Sequence, residues 1–122
     1  MEKVKKARVK SKKFAVRIVN LYRHLCEEKK EYVLSKQVLR SGTSVGANLA
    51  EAEYAISEKD FLAKIYLALK ECGETLFWLD LLFDTDYLTE IEYNSIHEEA
   101  LELLKMFKAT NKTLANKLNS KL

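Results

Sequence analysis

Apolar residues recur along this chain at intervals of three and four, and four stretches hold that period long enough to predict helices. In the first, Phe14, Ala15, Ile18, Leu21, Tyr22, Leu25 and Cys26 form a broad stripe, with Ser11 as a candidate N-cap. Residues 1–10 show no strong amphipathic pattern and are expected to fray or to form a basic arm. The charged run Glu27–Glu31 marks a connection, and the second helix starts near Leu34 or Ser35 and ends about Tyr54. Ser57 with Asp60 resembles a capping box and opens a third helix, striped by Phe61, Ile65, Ala68, Leu69, Cys72, Leu76, Leu79 and Leu82. Thr89 with Glu92 is a regular capping box for a fourth, striped by Tyr93, Ile96, Ala100, Leu103, Leu104, Phe107 and Leu114. The predicted spans are about 11–28, 34–54, 58–83 and 90–117.

The segment Val38–Glu53, VLRSGTSVGANLAEAE, is the one around which the others are organised. At about 100° per residue, Val38, Val45, Leu49 and Ala52 share a face that Leu34 and Ile56 extend. Gly42, Gly46 and Ala50 make a ridge of small residues on one flank, where another backbone can approach. Each glycine costs the helix about 1 kcal/mol relative to alanine, so close packing is expected to offset the loss. On the other flank runs a polar stripe of Arg40, Ser44, Asn48 and Glu51, with Ser41 bordering the apolar face. That stripe has two readings. It is a structural network, with Arg40 and Glu51 three turns apart and Ser44 and Asn48 tying the helix to its neighbours, or it meets RNA or a protein partner.

Four amphipathic helices with short connections predict an all-α, antiparallel up-down-up-down four-helix bundle, a single domain over residues 1–122. Composition agrees: there is no proline and there are three glycines, too few turn formers for a β-rich domain. No apolar run is long enough to cross a membrane and no secretory signal is visible, so a cytoplasmic protein is expected. Cys26 and Cys72 fall on apolar faces and read as reduced core thiols.

Charge changes the picture by region. Residues 1–13 carry Lys3, Lys5, Lys6, Arg8, Lys10, Lys12 and Lys13 against Glu2, a net of +6. Residues 103–122 carry Lys105, Lys108, Lys112, Lys117 and Lys121 with no acid, a net of +5, while residues 14–102 sum to −8. An up-down-up-down bundle brings its two ends to the same tip, so these segments are expected to merge into one basic pole. Such a pole attracts polyanions, nucleic acid first among them, or else the lysine-rich termini serve only to keep the protein soluble. The Lys and Arg residues named, Lys121 aside, are the candidate nucleic-acid contacts. Tyrosines and Trp78 at helical spacing read as core rather than as base-stacking platforms.

Catalytic chemistry is not legible. A di-iron bundle needs Glu three residues before His, but Leu21 and Asn94 hold those positions relative to His24 and His97. Two histidines and two core-facing cysteines do not suggest a zinc site, and no dinucleotide or P-loop motif occurs. GTSVG at 42–46 has elbow spacing but lies mid-helix. The expectation is a protein with no catalytic residues, no metal, no cofactor and no small-molecule substrate.

The segment VLRSGTSVGANLAEAE, followed by a Ser-capped helix with KDFLAKIYLALKECGET, resembles the four-helix-bundle family of 23S ribosomal RNA intervening-sequence proteins. Its motif, close to R-x-x-x-S-x-x-x-N-x-A-E, falls on Arg40, Ser44, Asn48, Ala50 and Glu51, with Ala52 where a glycine is usual. The resemblance covers nearly the whole chain. It implies a homopentameric bundle without enzymatic activity, and a likeness to the accessory protein of diversity-generating retroelements, which binds nucleic acid and a reverse transcriptase. Wide apolar stripes, with Leu62, Tyr66, Phe77, Trp78 and Leu81 outside the core line of the third helix, also point to subunit contact. Two classes follow: an oligomer that binds structured RNA or DNA through its terminal cations, or a scaffold that docks a partner protein such as a reverse transcriptase.

Overall fold

Steps of three and four through Val4, Ala7, Ser11, Phe14, Ile18, Leu21 and Leu25 carry the first helix well upstream of the stripe that begins at Phe14. In the computed structural model, which describes residues 2–120, α1 spans Glu2–Glu27, α2 Leu34–Ala52, α3 Glu58–Asp84 and α4 Glu90–Ser120. Residues 2–10 are therefore the opening turns of α1 and not an arm. Val4 and Ala7 are buried there, so these turns are tied down by packing. Ser11 is no cap: it sits fully buried within α1, and its hydroxyl donates to the Arg8 carbonyl at 3.0 Å.

The protein is an antiparallel four-helix bundle. α1 packs on α2 and α4, and α3 on α2 and α4, so α1 and α3 stand on opposite corners. The core joins Phe14, Ile18 and Leu25 to Val38, Val45, Leu49, Ile65, Leu79, Leu82, Leu103 and Phe107. The face foreseen on α2 is buried at Val38, Val45, Leu49 and Ala52. Ile56 is not part of it: α2 stops at Ala52, and Ile56 stands 93% exposed in the connection.

Gly42 and Gly46 are where α1 comes close. A Cβ on Gly42 would lie 2.7–3.0 Å from the Ile18 side chain, and one on Gly46 would lie 3.4 Å from the Ser11 carbonyl oxygen. Ala50, the third member of that ridge, is exposed.

Helix starts follow local chemistry. The Ser57 hydroxyl accepts from the Asp60 N–H at 3.0 Å, while the Asp60 carboxylate reaches back to the Ile56 N–H at 3.1 Å. Thr89 and Glu92 close the reciprocal box, each side chain accepting from the other's backbone N–H at 3.2 and 2.8 Å. The start of α2 uses a residue outside any capping pattern. The Glu31 carboxylate accepts from the N–H groups of Val33, Leu34 and Ser35 at 2.9, 2.8 and 2.6 Å. Burial alone would raise this carboxyl, but the three N–H donors hold it below its usual range. Two tight turns are made without glycine, by Lys30 and Asp86 in the left-handed region at φ 56° and 68°.

Candidate nucleic-acid interface

Because α1 runs up and α4 runs down beside it, the lysine-rich ends of the chain share one half of the bundle. The register is marked by pairs across the seam: Lys10 with Glu102, Arg17 with Glu99 at 3.0 Å and Ser95 at 3.1 Å, and His24 with Glu92 at 3.9 Å. Further toward the tip, Glu2, Lys3 and Val4 line a crevice with Thr110, Thr113 and Leu114. The two ends therefore lie side by side. Lys121 falls outside the described residues.

Within this half, Lys3, Lys5, Lys6, Lys10, Lys12 and Lys13 on α1 and Lys105, Lys108, Lys112 and Lys117 on α4 are all exposed, and Arg8 is half-buried. The α1 lysines form pairs seven residues apart (3 and 10, 5 and 12, 6 and 13), each pair about 10.5 Å apart along one side of the helix. On α4, Lys105, Lys108 and Lys112 follow i, i+3, i+7 along the solvent face. Among the described residues only two of these eleven cations are engaged in ion pairs: Lys10 with Glu102 and Arg8 with Glu53 at 3.3 Å.

The field does not cap the tip. The α2–α3 connection ends at the same place, and a depression of about 500 Å³ there puts Glu53 and Glu58 beside Arg8 and Lys117. The uncompensated charge runs instead along the flanks of α1 and α4. Sequence reasoning places the charge at the correct end but not on the flank, because the acids that interrupt the tip, Glu53 and Glu58, are far from Arg8 and Lys117 in sequence. It also misses Arg17, which lies in the heptad series Lys3, Lys10, Arg17, His24, whose last three members face the acids of α4. That seven-residue spacing was the available signal.

The polar stripe on α2 is brought against α3 only at its two ends. Arg40 donates to Glu71 at 3.3 Å and to Glu74, and Glu51 pairs with Lys64 at 3.4 Å. Ser44 and Asn48 do not tie α2 to its neighbours. Ser44 donates to the Arg40 carbonyl at 2.6 Å and Asn48 to the Ser44 carbonyl at 2.9 Å, both within their own helix. The cross-link between the helices is made one step further in, where the buried Ser41 and Thr75 hydroxyls pair at 2.9 Å.

The thiols are both free. Cys72 is buried against the Ala100 carbonyl at 3.1 Å, and burial pushes its thiol up to about 12; Cys26 is half-buried near Ser35. Phe77 is 57% exposed and packs edge-on to Trp78, which is half-buried and donates its indole N–H to Glu74 at 2.9 Å. Among the described residues no cluster of three His, Cys, Asp or Glu side chains is arranged to hold a metal ion, and no helix is long and apolar enough to cross a membrane.

These features define a small helical bundle with segregated charge and a glycine-assisted α1–α2 contact. The sequence model of the 23S rRNA-intervening sequence protein family matches residues 5–109, and the chain belongs to that family. It is similar to a protein of unknown function from the S23 ribosomal protein family of Bacteroides thetaiotaomicron, whose crystal structure was determined at 1.70 Å resolution. The two share 51% identity with a TM-score of 0.89, over 90% of this chain and 98% of that one. No curated protein matches the chain.

Proposed function

We propose that this chain is a non-enzymatic, cytoplasmic, oligomeric bundle that binds nucleic acid through the cations of α1 and α4. One observation carries the reading: eleven basic side chains from both ends of the sequence converge on one half of the molecule, and nine of them have no acidic partner among the described residues. A solvated coat of lysines needs no such segregation from an acidic body. Binding of this kind is steep in salt, with log K falling by about 0.9 per phosphate contact on a duplex. Fluorescence anisotropy with labelled RNA and DNA over a salt series tests it. Binding that weakens with salt in the wild type, and weakens further when Lys5 and Lys12 are changed to glutamine, supports the reading. Undetectable binding at low salt overturns it. Deleting residues 1–13 is the wrong test, because it removes Val4, Ala7 and Ser11 from the interior.

A second reading, the docking of a partner protein such as a reverse transcriptase, has its own support. A groove of about 650 Å³ between α1 and α2 is floored by Val9, Gly46, Ala47 and Ala50 and edged by Arg8, Lys12 and Lys13. A complex that survives high salt would favour it. Self-association into a homopentamer belongs to either reading and is supported by exposed Val9, Val16, Tyr66 and Phe77. Light scattering that returns the 14.1 kDa monomer mass at micromolar concentration removes it.

A further inference from the structure

We infer that the ligand of the α1–α4 cation field is a base-paired helix, contacted on its phosphates, and not a single strand. The inference rests on the nucleic-acid reading above and narrows it.

Single-strand binders combine a cationic channel with aromatic rings on which successive bases stack, and each stack adds substantially to affinity. Here the cations and most of the exposed rings are separated. Across residues 2–13 and 105–120 the only aromatic side chain is Phe107, and it is 1% exposed. The exposed rings Tyr66 and Phe77 lie on α3, the corner diagonal to α1. Tyr32 lies in the α1–α2 connection at the other end, and Tyr54, 81% exposed in the α2–α3 connection at the cationic tip, has Glu51 and Glu53 as its near neighbours in sequence. The recesses that the cations border are no better: the one at the tip mixes them with carboxylates, and the α1–α2 groove is aliphatic. With a single ring at this end, and that one flanked by carboxylates, affinity comes chiefly from phosphate neutralisation. Ligands then rank by charge density, and a duplex carries one charge per about 1.7 Å of axis, with a steeper counterion-release slope than a strand. Lysines splayed over two convex helix faces, in rows about 10.5 Å long, suit the outside of such a rod.

The test uses the full chain and three probes of equal length, about 20 nucleotides per strand: an RNA duplex, a DNA duplex and oligo-dT. Anisotropy at low salt is expected to show both duplexes bound on the order of tenfold more tightly than oligo-dT. K5Q/K12Q and K108Q/K112Q should each lower duplex affinity and reduce the salt slope by about 1.8, while Y54A, Y66A and F77A leave it unchanged. Oligo-dT bound as tightly as the duplexes, or binding lost in Y54A, Y66A or F77A, overturns the inference and leaves the broader reading standing. Duplex binding that ignores both lysine pairs overturns it too. No binding to any probe sinks the broader reading, and this one with it.

Discussion

Helix α1 meets its two neighbours in opposite ways. Toward α2 the contact is apolar and close enough that Gly42 leaves no room for a methyl group beside Ile18. Toward α4 its outer edge is an open seam, lined by crevices and bridged by pairs such as Lys10–Glu102 and Arg17–Glu99, whose side chains are 38–54% exposed. The difference teaches where stability and availability reside. Buried surface against α2 holds α1 in place, and exposed ion pairs of this kind contribute about 0–1 kcal/mol. Cations on the α4 side can thus exchange a carboxylate for a phosphate at little cost to the fold.

The sharpest way to break the contrast is a double-mutant cycle at the close contact. Ile18→Ala should cost about 2–5 kcal/mol through the cavity it opens, and Gly42→Ala about 1–3 kcal/mol through overpacking. In the Ile18→Ala background the sign should reverse, with Gly42→Ala restoring stability, as urea denaturation will read; additive losses would mean that the two side chains do not compete for one space.

Next comes the buried carboxylate at the start of α2. Glu31→Gln should cost about 1–2 kcal/mol, because three backbone donors lose a charged acceptor. Its folded pKa lies below the unfolded one, so the stabilisation is complete above about pH 4.3 and is lost as pH falls through the folded value. The gap between wild type and variant should therefore narrow in denaturation curves recorded toward pH 2–3.

Gly73 supplies the counter-case to Gly42. A Cβ there meets nothing within 4 Å, so Gly73→Ala should stabilise the monomer by about 1 kcal/mol through helix propensity. A loss instead would mean that something in the assembled protein occupies that space. Smallest of all, Glu102→Gln at the seam should change stability by less than about 1 kcal/mol at low salt, and by nothing measurable at high salt.

Much of the fold was legible because the relevant physics is local. The period of Phe61, Ile65, Ala68, Cys72 and Leu79, and the reciprocal bonds of Thr89 with Glu92, involve residues within one or two turns. Four helices, their polarity and the segregation of charge follow from the chain alone. The first turns of α1 were legible too, in the spacing of Val4, Ala7 and Ser11, but a buried serine and seven flanking cations disguised the stripe.

The tertiary structure decided what depends on the register between helices. It set Arg40 against Glu71 and Glu74, sent Ser44 and Asn48 back to their own helix, and brought Glu53 to the tip beside Arg8. A helix period says which side of a residue faces inward. It says nothing of how far the neighbouring helix has slid along its axis, and that offset chooses each cation's partner.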